Sequence, residues 1–452
     1  HNNQNKRETT WPERSKRLLQ RSHLARCRSC SFHRVSIAST RCNPTAIVEG
    51  INNTWIKLPR FCSKVVIDDK KNGKAVWVPV SVRVEDHVVV PDLDHSNIEN
   101  PDEFIEDYTS HLANNPMDMS RPLWEFHVLN IKTSNAESFG IGKFHHSLVD
   151  GMSLISLLYA SSRKTSDPDA FPTTATTRKH AESNNLWWLV ARFWFIIMIL
   201  FITFVEMCKF LLTLCYLRDT KTPLVGKFGD KVQSRKVIHR IISLDDVKFV
   251  KNTMNMKVND VFLGMTQAGI SKYLSRKYGN YVYLTYLKDD ENPMAWNKKQ
   301  ILDKIRLRGT VAVNLRPATK IEDMADMMTK GSKCRWGNFI GLVVFPLWIR
   351  CEDDPLEYVR RAKAIMDKKK ISLEPLISYG ILKLIMKIFG EKVVEAIAKR
   401  MFGHTTMTFS NVLGPDEDIN FFNHPMCYVA ASAMFGPHVS IILIMPHLYF
   451  FG

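Results

Sequence analysis

The residues best suited to chemistry lie in one short run, Phe144-His145-His146-Ser147-Leu148-Val149-Asp150-Gly151, which has the pattern HHxxxDG. An alcohol is too weak an acid to ionise near neutral pH, so a base must take its proton as it attacks an acyl carbonyl. Imidazole, with an unperturbed pKa of about 6.5, is mainly neutral at that pH and basic enough for the task. The run therefore indicates acyl transfer to a hydroxyl group.

Each residue of the motif has a predicted role. An extended segment, Ser138–Phe144, gives way to an apolar helical pattern at Gly151. Because successive residues leaving a strand point in different directions, His145 and His146 cannot both face one site. We predict that His146 is the general base and that His145 packs or orients the site. Asp150 either holds the imidazole or pairs with an arginine and fixes the loop, and Gly151 permits a tight turn or close backbone approach.

A metal site is the first alternative for this cluster. Adjacent histidines splay apart, the HExxH spacing of zinc enzymes is absent, and no second His/Cys cluster stands out in the sequence. We therefore expect neither a metal ion nor a cofactor.

The chain resembles the plant-type wax ester synthase/diacylglycerol acyltransferase family over roughly residues 50–448. Besides HHxxxDG, six segments carry the resemblance in family order: Pro122-Leu123-Trp124-Glu125-Phe126, Val258-Asn259-Asp260-Val261-Phe262-Leu263-Gly264, Val313-Asn314-Leu315-Arg316-Pro317, Arg335-Trp336-Gly337-Asn338, Ser410-Asn411-Val412-Leu413-Gly414-Pro415 and Pro437-His438-Val439-Ser440. Peptide-synthetase condensation domains and soluble plant acyltransferases share HHxxxDG. However, this chain has neither a carrier-protein serine motif nor a DFGWG motif.

The resemblance implies a mixed α/β (α+β) fold of two chloramphenicol-acetyltransferase-like lobes, with a central tunnel that His146 enters from the middle. It implies that a long-chain acyl group moves from acyl-CoA to a fatty alcohol, giving a wax ester, or to diacylglycerol, giving triacylglycerol. No serine or cysteine lies in a nucleophile-elbow context, which favours direct attack without an acyl-enzyme. The competing hypothesis is a catalytically inactive, truncated, membrane-bound relative.

Three further residues are candidates for completing the site. Arg316 is predicted to pair with Asp150, as the comparable arginine and aspartate do in related folds; the alternative is a surface arginine at the end of a strand. Ser410 or Asn411 is a candidate donor to the oxyanion of the tetrahedral intermediate. The alternative there is an ordinary turn residue before Gly-Pro.

The stretch Leu186–Leu217 has an uncharged centre, Phe193–Val205. A spanning helix needs about 20 mainly apolar residues, and Arg192, Glu206 and Lys209 interrupt any longer window. Aromatic residues suited to membrane interfaces lie near its ends: Trp187, Trp188, Trp194 and Tyr216. We predict contact with a lipid bilayer, whether or not the segment spans it, rather than a buried core helix. The expected location is the endoplasmic reticulum membrane with cytosolic catalytic lobes, or alternatively the plasma membrane.

The formal net charge of +17 suggests nucleic-acid binding, but its distribution argues against that class. Residues 1–46 hold ten Lys or Arg against two Asp or Glu, so +8 lies there. The rest shows no nucleic-acid-binding motif, and its basic surface suits anionic lipid headgroups, the phosphates of acyl-CoA or simply solvent. The nine cysteines are irregularly spaced, which favours reduced thiols.

These patterns predict four regions. Residues 1–46 are a disordered basic arm or a gene-model artefact, and 47–183 form the N-terminal acyltransferase lobe with HHxxxDG. Residues 184–235 form the membrane-associated segment and linker, and 236–452 a truncated C-terminal lobe. In that last region the residue pattern predicts a strand at Lys236–Ser243, a longer helix at Asn259–Lys277 and an amphipathic helix at Pro355–Lys370.

Overall fold

The protein is represented by a computed structural model that describes residues 30–37, 41–68, 74–172, 186–225, 236–286, 302–315, 339–413, 417–433 and 439–445. The main helices are α1 (Pro44–Asn53), α2 (Pro101–Asn114), α3 (Gly151–Ala160), α4 (Leu186–Cys215), α5 (Leu244–Thr253), α6 (Val258–Tyr286), α7 (Pro355–Ile371), α8 (Glu374–Phe389) and α9 (Glu391–His404). The strands are β1 (Cys30–Ile37), β2 (Ser63–Asp68), β3 (Lys74–Pro79), β4 (Val88–Val89), β5 (Trp124–Leu129), β6 (Ser138–His145), β7 (Ser162–Lys164), β8 (Leu307–Asn314), β9 (Ile340–Leu347), β10 (Met407–Leu413), β11 (Ile419–Phe421), β12 (His424–Ala433) and β13 (Val439–Met445).

The N-terminal lobe is built on a seven-stranded sheet in the order β4-β5-β6-β1-β12-β11-β7. Every residue of β6 is buried, because β5 and β1 pair with it on either side. The apolar residues of α3 pack into the same core as Trp55, Trp124 and Phe126. The strand that ends at the two histidines is therefore a central, fully covered strand.

Strand β1 corrects one prediction. We expected residues 1–46 to be a disordered basic arm or a gene-model artefact, but Cys30–Ile37 forms a strand that pairs antiparallel with β6 and β12, and Cys30 lies opposite His145. The prediction is wrong for these residues because the surrounding Arg- and Ser-rich composition masks a short strand whose partners lie far away in sequence. Residues 1–29 lie outside the described part of the chain.

The C-terminal lobe contains a four-stranded sheet in the order β13-β10-β8-β9, which leaves β9 at an edge. Two side chains of helix α8 bind the outer amides of β9. Ser378 Oγ accepts from Leu342 N at 3.1 Å, and Glu374 Oε1 accepts from Val344 N at 3.1 Å. Because an open edge strand invites pairing with other chains, these contacts protect the sheet.

Two strands from the C-terminal part of the chain join the sheet of the N-terminal lobe. β11 and β12, which our division assigned to the C-terminal lobe, belong to the seven-stranded sheet, where β11 pairs with β7. The boundary predicted at residue 236 therefore does not hold for these two strands. Sequence patterns report which residues form strands, but not which sheet a strand joins.

The predicted strand at Lys236–Ser243 is also wrong. Its backbone amides bind side chains of α2 instead of another strand: Val237 N donates to Ser110 Oγ at 2.8 Å, and His239 N donates to Glu106 Oε1 at 3.0 Å. The helices predicted at Asn259–Lys277 and Pro355–Lys370 are confirmed as α6 and α7.

Helix α4 is the feature of the fold that is least typical of a water-soluble protein. Within the described residues, its segment Phe193–Cys215 is long and apolar enough to cross a membrane by length and composition. Only 22% of that apolar window is buried against the rest of the chain. A buried core helix, the alternative considered for this stretch, is therefore not what the fold contains.

Candidate active site

The HHxxxDG motif occupies the junction between β6 and α3, as predicted. His145 is the last residue of β6, His146 follows it, and Asp150 is the N-cap residue of α3. His145, His146 and Asp150 are each at most 5% exposed. The motif thus places imidazole and carboxylate groups in a site with little access to water, where electrostatic interactions are strong.

His145 is held by the residue two positions after it. Ser147 N lies 3.2 Å from its Nδ1 and Ser147 Oγ lies 2.7 Å from the same atom. A backbone N–H can only donate, so Nδ1 is the accepting nitrogen and the ring is neutral with its proton on Nε2. These contacts fit the predicted orienting role of His145.

Asp150 connects the two lobes. Its Oδ1 accepts from Ser153 N at 2.9 Å and so caps α3, while its Oδ2 accepts from Phe339 N at 3.1 Å. Phe339 directly precedes β9 of the C-terminal lobe. The predicted partner Arg316 lies outside the described residues, so its pairing with Asp150 stays a prediction.

Arg60 is a charged neighbour of the motif that sequence reasoning missed. Its Nη1 donates to Leu148 O at 2.9 Å and to Ser147 O at 3.4 Å, which holds the loop between the histidines and Asp150. Burial lowers the Arg60 pKa to about 10, and the charge of Asp150 opposes that shift. Arg60 therefore stays cationic near neutral pH. The sequence gives no signal that separates Arg60 from its neighbouring cations Lys57 and Lys64.

The predicted role of Gly151 finds no support in packing. A Cβ built on Gly151 would meet no heavy atom within 4 Å among the described residues, and its φ is not positive. Neither a tight left-handed turn nor close contact requires glycine there.

Ser410 and Asn411 both lie on β10, in the C-terminal lobe. Because consecutive strand residues point to opposite faces, their side chains cannot both reach one oxyanion. The Asn411 side-chain amide donates to Asn259 Oδ1 at the start of α6, which fixes its orientation. Within the described residues, the buried Oδ1 of Asn411 has no hydrogen-bond partner.

A small apolar cavity of about 20 Å³ lies between α3 and the seven-stranded sheet, lined among others by Trp55, Gly142 and Leu158. This volume holds about one water molecule and is far too small for an acyl chain. Among the described residues, no group of three or more His, Cys, Asp or Glu side chains is placed to bind a metal ion. Six cysteines are free in the same part of the chain.

Comparison with known families shows which proteins this chain is similar to. The catalytic domain of wax ester synthase/diacylglycerol acyltransferase matches residues 19–196, and the WS/DGAT C-terminal domain matches residues 336–445. Wax ester synthase/diacylglycerol acyltransferase 3 of Arabidopsis thaliana is 73% identical over 404 residues, which is 89% of this chain and 80% of that protein. Wax ester synthase/diacylglycerol acyltransferase 1 of the same plant is 61% identical over 88% of this chain and 80% of its own length. The chain belongs to the wax ester synthase/diacylglycerol acyltransferase family.

Solved structures agree on the fold of this wax ester synthase/diacylglycerol acyltransferase family member. The wax ester synthase/diacylglycerol acyltransferase from Marinobacter aquaeolei VT8 matches with a TM-score of 0.55 at 16% identity, over 93% of this chain and 86% of that one. The first condensation domain of the calcium-dependent antibiotic synthetase matches with a TM-score of 0.50 at 12% identity, over 93% and 82%. The mixed α/β fold is thus chloramphenicol-acetyltransferase-like, as the resemblance implied.

Family membership makes the chain an acyltransferase that acts on a hydroxyl oxygen. Family membership also supports the corrected assignment of residues 30–37 to a strand. The catalytic-domain match of the wax ester synthase/diacylglycerol acyltransferase family begins at residue 19, ahead of β1. Residues 30–37 are therefore part of the acyltransferase lobe in both sequence and structure.

Proposed function

We propose that this acyltransferase moves a long-chain acyl group from acyl-CoA to a lipid hydroxyl. Fatty alcohol would give a wax ester, and diacylglycerol would give triacylglycerol as a secondary product. The observation that carries the proposal is an intact, buried HHxxxDG motif in a chain whose similar proteins are named for both activities.

In the proposed mechanism His146 is the general base. It takes the hydroxyl proton while the alcohol oxygen attacks the thioester carbonyl, which forms a C–O bond and a tetrahedral oxyanion. The C–S bond then breaks, and the leaving thiolate takes the proton back from His146. The burial of His146 supports this role, because a site that excludes water limits hydrolysis of the thioester.

The remaining site residues position the reacting groups. Asp150, with Arg60 beside it and Arg316 as its proposed partner, fixes the loop that carries His146. Ser410 or Asn411 donates to the oxyanion. The Asn259 contact of Asn411 supports Asn411 as the better-ordered donor, since preorganised donors contribute most to transition-state stabilisation. The alcohol attacks the thioester directly within a ternary complex of protein, acyl-CoA and acceptor, so no acyl-enzyme forms.

The proposed location is the endoplasmic reticulum membrane, with both lobes in the cytosol and the plasma membrane as the alternative. Long-chain alcohols and diacylglycerol dissolve in bilayers rather than in water. An acceptor opening at the bilayer is therefore physically reasonable, and the length and composition of α4 support membrane contact.

The test is an assay of the purified chain in phospholipid vesicles with labelled long-chain acyl-CoA. Separate reactions contain a fatty alcohol, diacylglycerol or a small water-soluble alcohol. We expect wax ester as the main product and triacylglycerol as the lesser one, with no label left on denatured protein. Transfer only to small alcohols or amines would overturn the substrate proposal, and covalently labelled protein would overturn direct attack.

A further inference from the structure

Helix α8 packs on the protein with its polar side inward. Glu374 and Ser378, four residues apart on one face, are buried and bind the edge of β9. The exposed residues of α8 include large apolar side chains, with Leu376, Leu384 and Ile388 between 55 and 62% exposed, and two lysines lie among them. A helix on the surface of a water-soluble domain shows the reverse arrangement.

Helix α4 shows the same inversion. Among its residues from Phe193 onward, the buried positions are Thr203, Glu206, Phe210 and Thr213, three of which are polar. Apart from Lys209, most of the exposed positions are large and apolar: Phe193, Trp194, Phe195, Ile196, Ile197, Leu200, Phe201, Phe204, Leu211 and Leu212. Two helices with outward apolar sides cannot both be explained as scattered surface residues.

A buried ion cluster joins the two helices. Lys369, at the end of α7, binds Glu206 of α4 and lies 2.8 Å from Glu374 Oε2 of α8. In addition, Leu373 N, just before α8, donates to Thr203 Oγ1 at 3.0 Å. The exposed residues of α4 and α8 therefore form one surface, here called the apolar face.

The pairing of β7 with β11 limits how α4 can contact a bilayer. β7 precedes α4 in the chain and β11 follows it, yet the two strands pair in one sheet. A single crossing between them would put paired strands on opposite sides of the membrane. The last turn of α4 is also held by the C-terminal lobe, since Arg400 donates to Leu214 O at 2.9 Å and Arg308 Nη1 to Thr213 Oγ1 at 2.7 Å.

We infer that α4 and α8 lie together in the plane of one membrane leaflet, as a monotopic docking surface for a bilayer that contains anionic phospholipid. Exposed Lys383 and Lys387 on α8 supply the charge complementarity, because lysines beside an inserted apolar face reach the headgroups. The apolar face is inferred only from the positions of the exposed side chains of α4 and α8. Its value to the enzyme, bringing lipid acceptors to the site, rests on the proposed function.

The first test compares two triple variants of the full chain by flotation with vesicles of phosphatidylcholine mixed with phosphatidylserine. One variant carries Leu376→Glu, Leu384→Glu and Ile388→Glu. The matched control carries Ile238→Glu, Ile241→Glu and Phe249→Glu, at positions between 56 and 72% exposed. We expect the α8 variant to lose more than ~10-fold in vesicle partitioning and the control to partition as wild type does. Unchanged binding by the α8 variant, or equal loss by the control, would overturn the inference.

Two further measurements keep the result clear if the α8 variant does not fold. Lys383→Glu with Lys387→Glu should weaken partitioning to the phosphatidylserine vesicles while leaving binding to pure phosphatidylcholine nearly unchanged. Tags at the two chain ends should both be cleaved by protease added outside sealed vesicles, and protection of one tag would overturn the in-plane placement.

Activity separates this inference from the proposed function. With a short-chain alcohol and acyl-CoA in solution, the α8 variant should retain the wild-type turnover, because its substitutions lie on the exposed side of α8. Absent activity in wild type, with vesicle binding intact, would count against the proposed function and leave the docking surface standing. Lost vesicle binding with normal turnover is the result that the inference expects.

Discussion

Helices α3 and α8 are both rich in apolar residues, but they turn those residues in opposite directions. α3 buries Leu154, Leu157 and Leu158 in the core of the N-terminal lobe. α8 buries Glu374 and Ser378 against β9 and leaves Leu376, Leu384 and Ile388 exposed. The difference teaches that apolar content alone does not define a core. The direction of the apolar side indicates whether a helix meets protein or lipid.

Buried charge differs between the two regions in a parallel way. In the N-terminal lobe, Asp150 accepts hydrogen bonds from backbone amides and joins the site to the C-terminal lobe. Below the apolar face, Lys369 joins two helices through two carboxylates. If the first arrangement serves the proposed reaction site and the second holds the inferred docking surface, substitutions in the first should lower turnover and substitutions in the second should lower vesicle binding.

The largest effect should come from the N-terminal region. His146→Ala is expected to lower turnover by ~10²–10⁴-fold, because no other group would take the acceptor proton, while vesicle binding persists. His145→Ala is the matched control and should cost less, since the contacts of its ring with Ser147 indicate an orienting role. Steady-state rates with fatty alcohol measure both. Activity that survives in His146→Ala but is lost in His145→Ala would reverse the assignment.

The next effect tests the cluster below the apolar face. Lys369→Ala leaves Glu374 buried without its cation and leaves Glu206 with Lys209 alone, which should cost about 3–5 kcal/mol of unfolding free energy. The exposed neighbour Lys368→Ala is the control and should change little. Denaturant titration in detergent measures both. Equal stability of the two variants would show that the cluster does not hold α4 and α8 in place.

The local part of the active site was accessible from sequence. The change from β6 to α3 at Gly151 was predicted from apolar periodicity, whereas the N-cap role of Asp150 was not predicted, although an aspartate directly before a helix is a typical N-cap signal. Both features depend on residues within one turn of one another. Such patterns are read directly from the chain.

The remaining features depend on contacts between distant segments. Strand β1 is stabilised by β6 and β12, and Arg60 approaches the motif loop from 87 residues away. The inward side of α8 is set by the free amides of β9, which no periodicity in α8 reveals. Lys236–Ser243 has an alternating pattern, but α2 offers side-chain acceptors in place of a neighbouring strand.

A smaller effect should come from Asp150→Ala, which affects the contact between the lobes. The variant loses a helix cap and leaves the Phe339 amide without its carboxylate acceptor, so we expect a loss of about 2–3 kcal/mol in stability together with lower turnover. Asp354→Ala, at the exposed N-cap of α7, removes the same kind of cap without a contact between lobes and should cost less. If the two variants lost equal stability, the Phe339 contact would contribute nothing.

The smallest effect concerns how closely α8 approaches β9. A Cβ on Gly341 would lie 2.1 Å from Pro375 O in the first turn of α8, so Gly341→Ala must push the helix away from the strand. We expect a cost of about 1–3 kcal/mol and weaker vesicle binding, because the Ser378 and Glu374 contacts that orient the apolar face would lengthen. Gly380→Ala, within α8, has no heavy atom within 4 Å of its added Cβ among the described residues and should be neutral or slightly stabilising. If Gly341→Ala destabilised the protein but left vesicle binding unchanged, the packing of α8 on β9 would not be what directs its apolar side toward lipid.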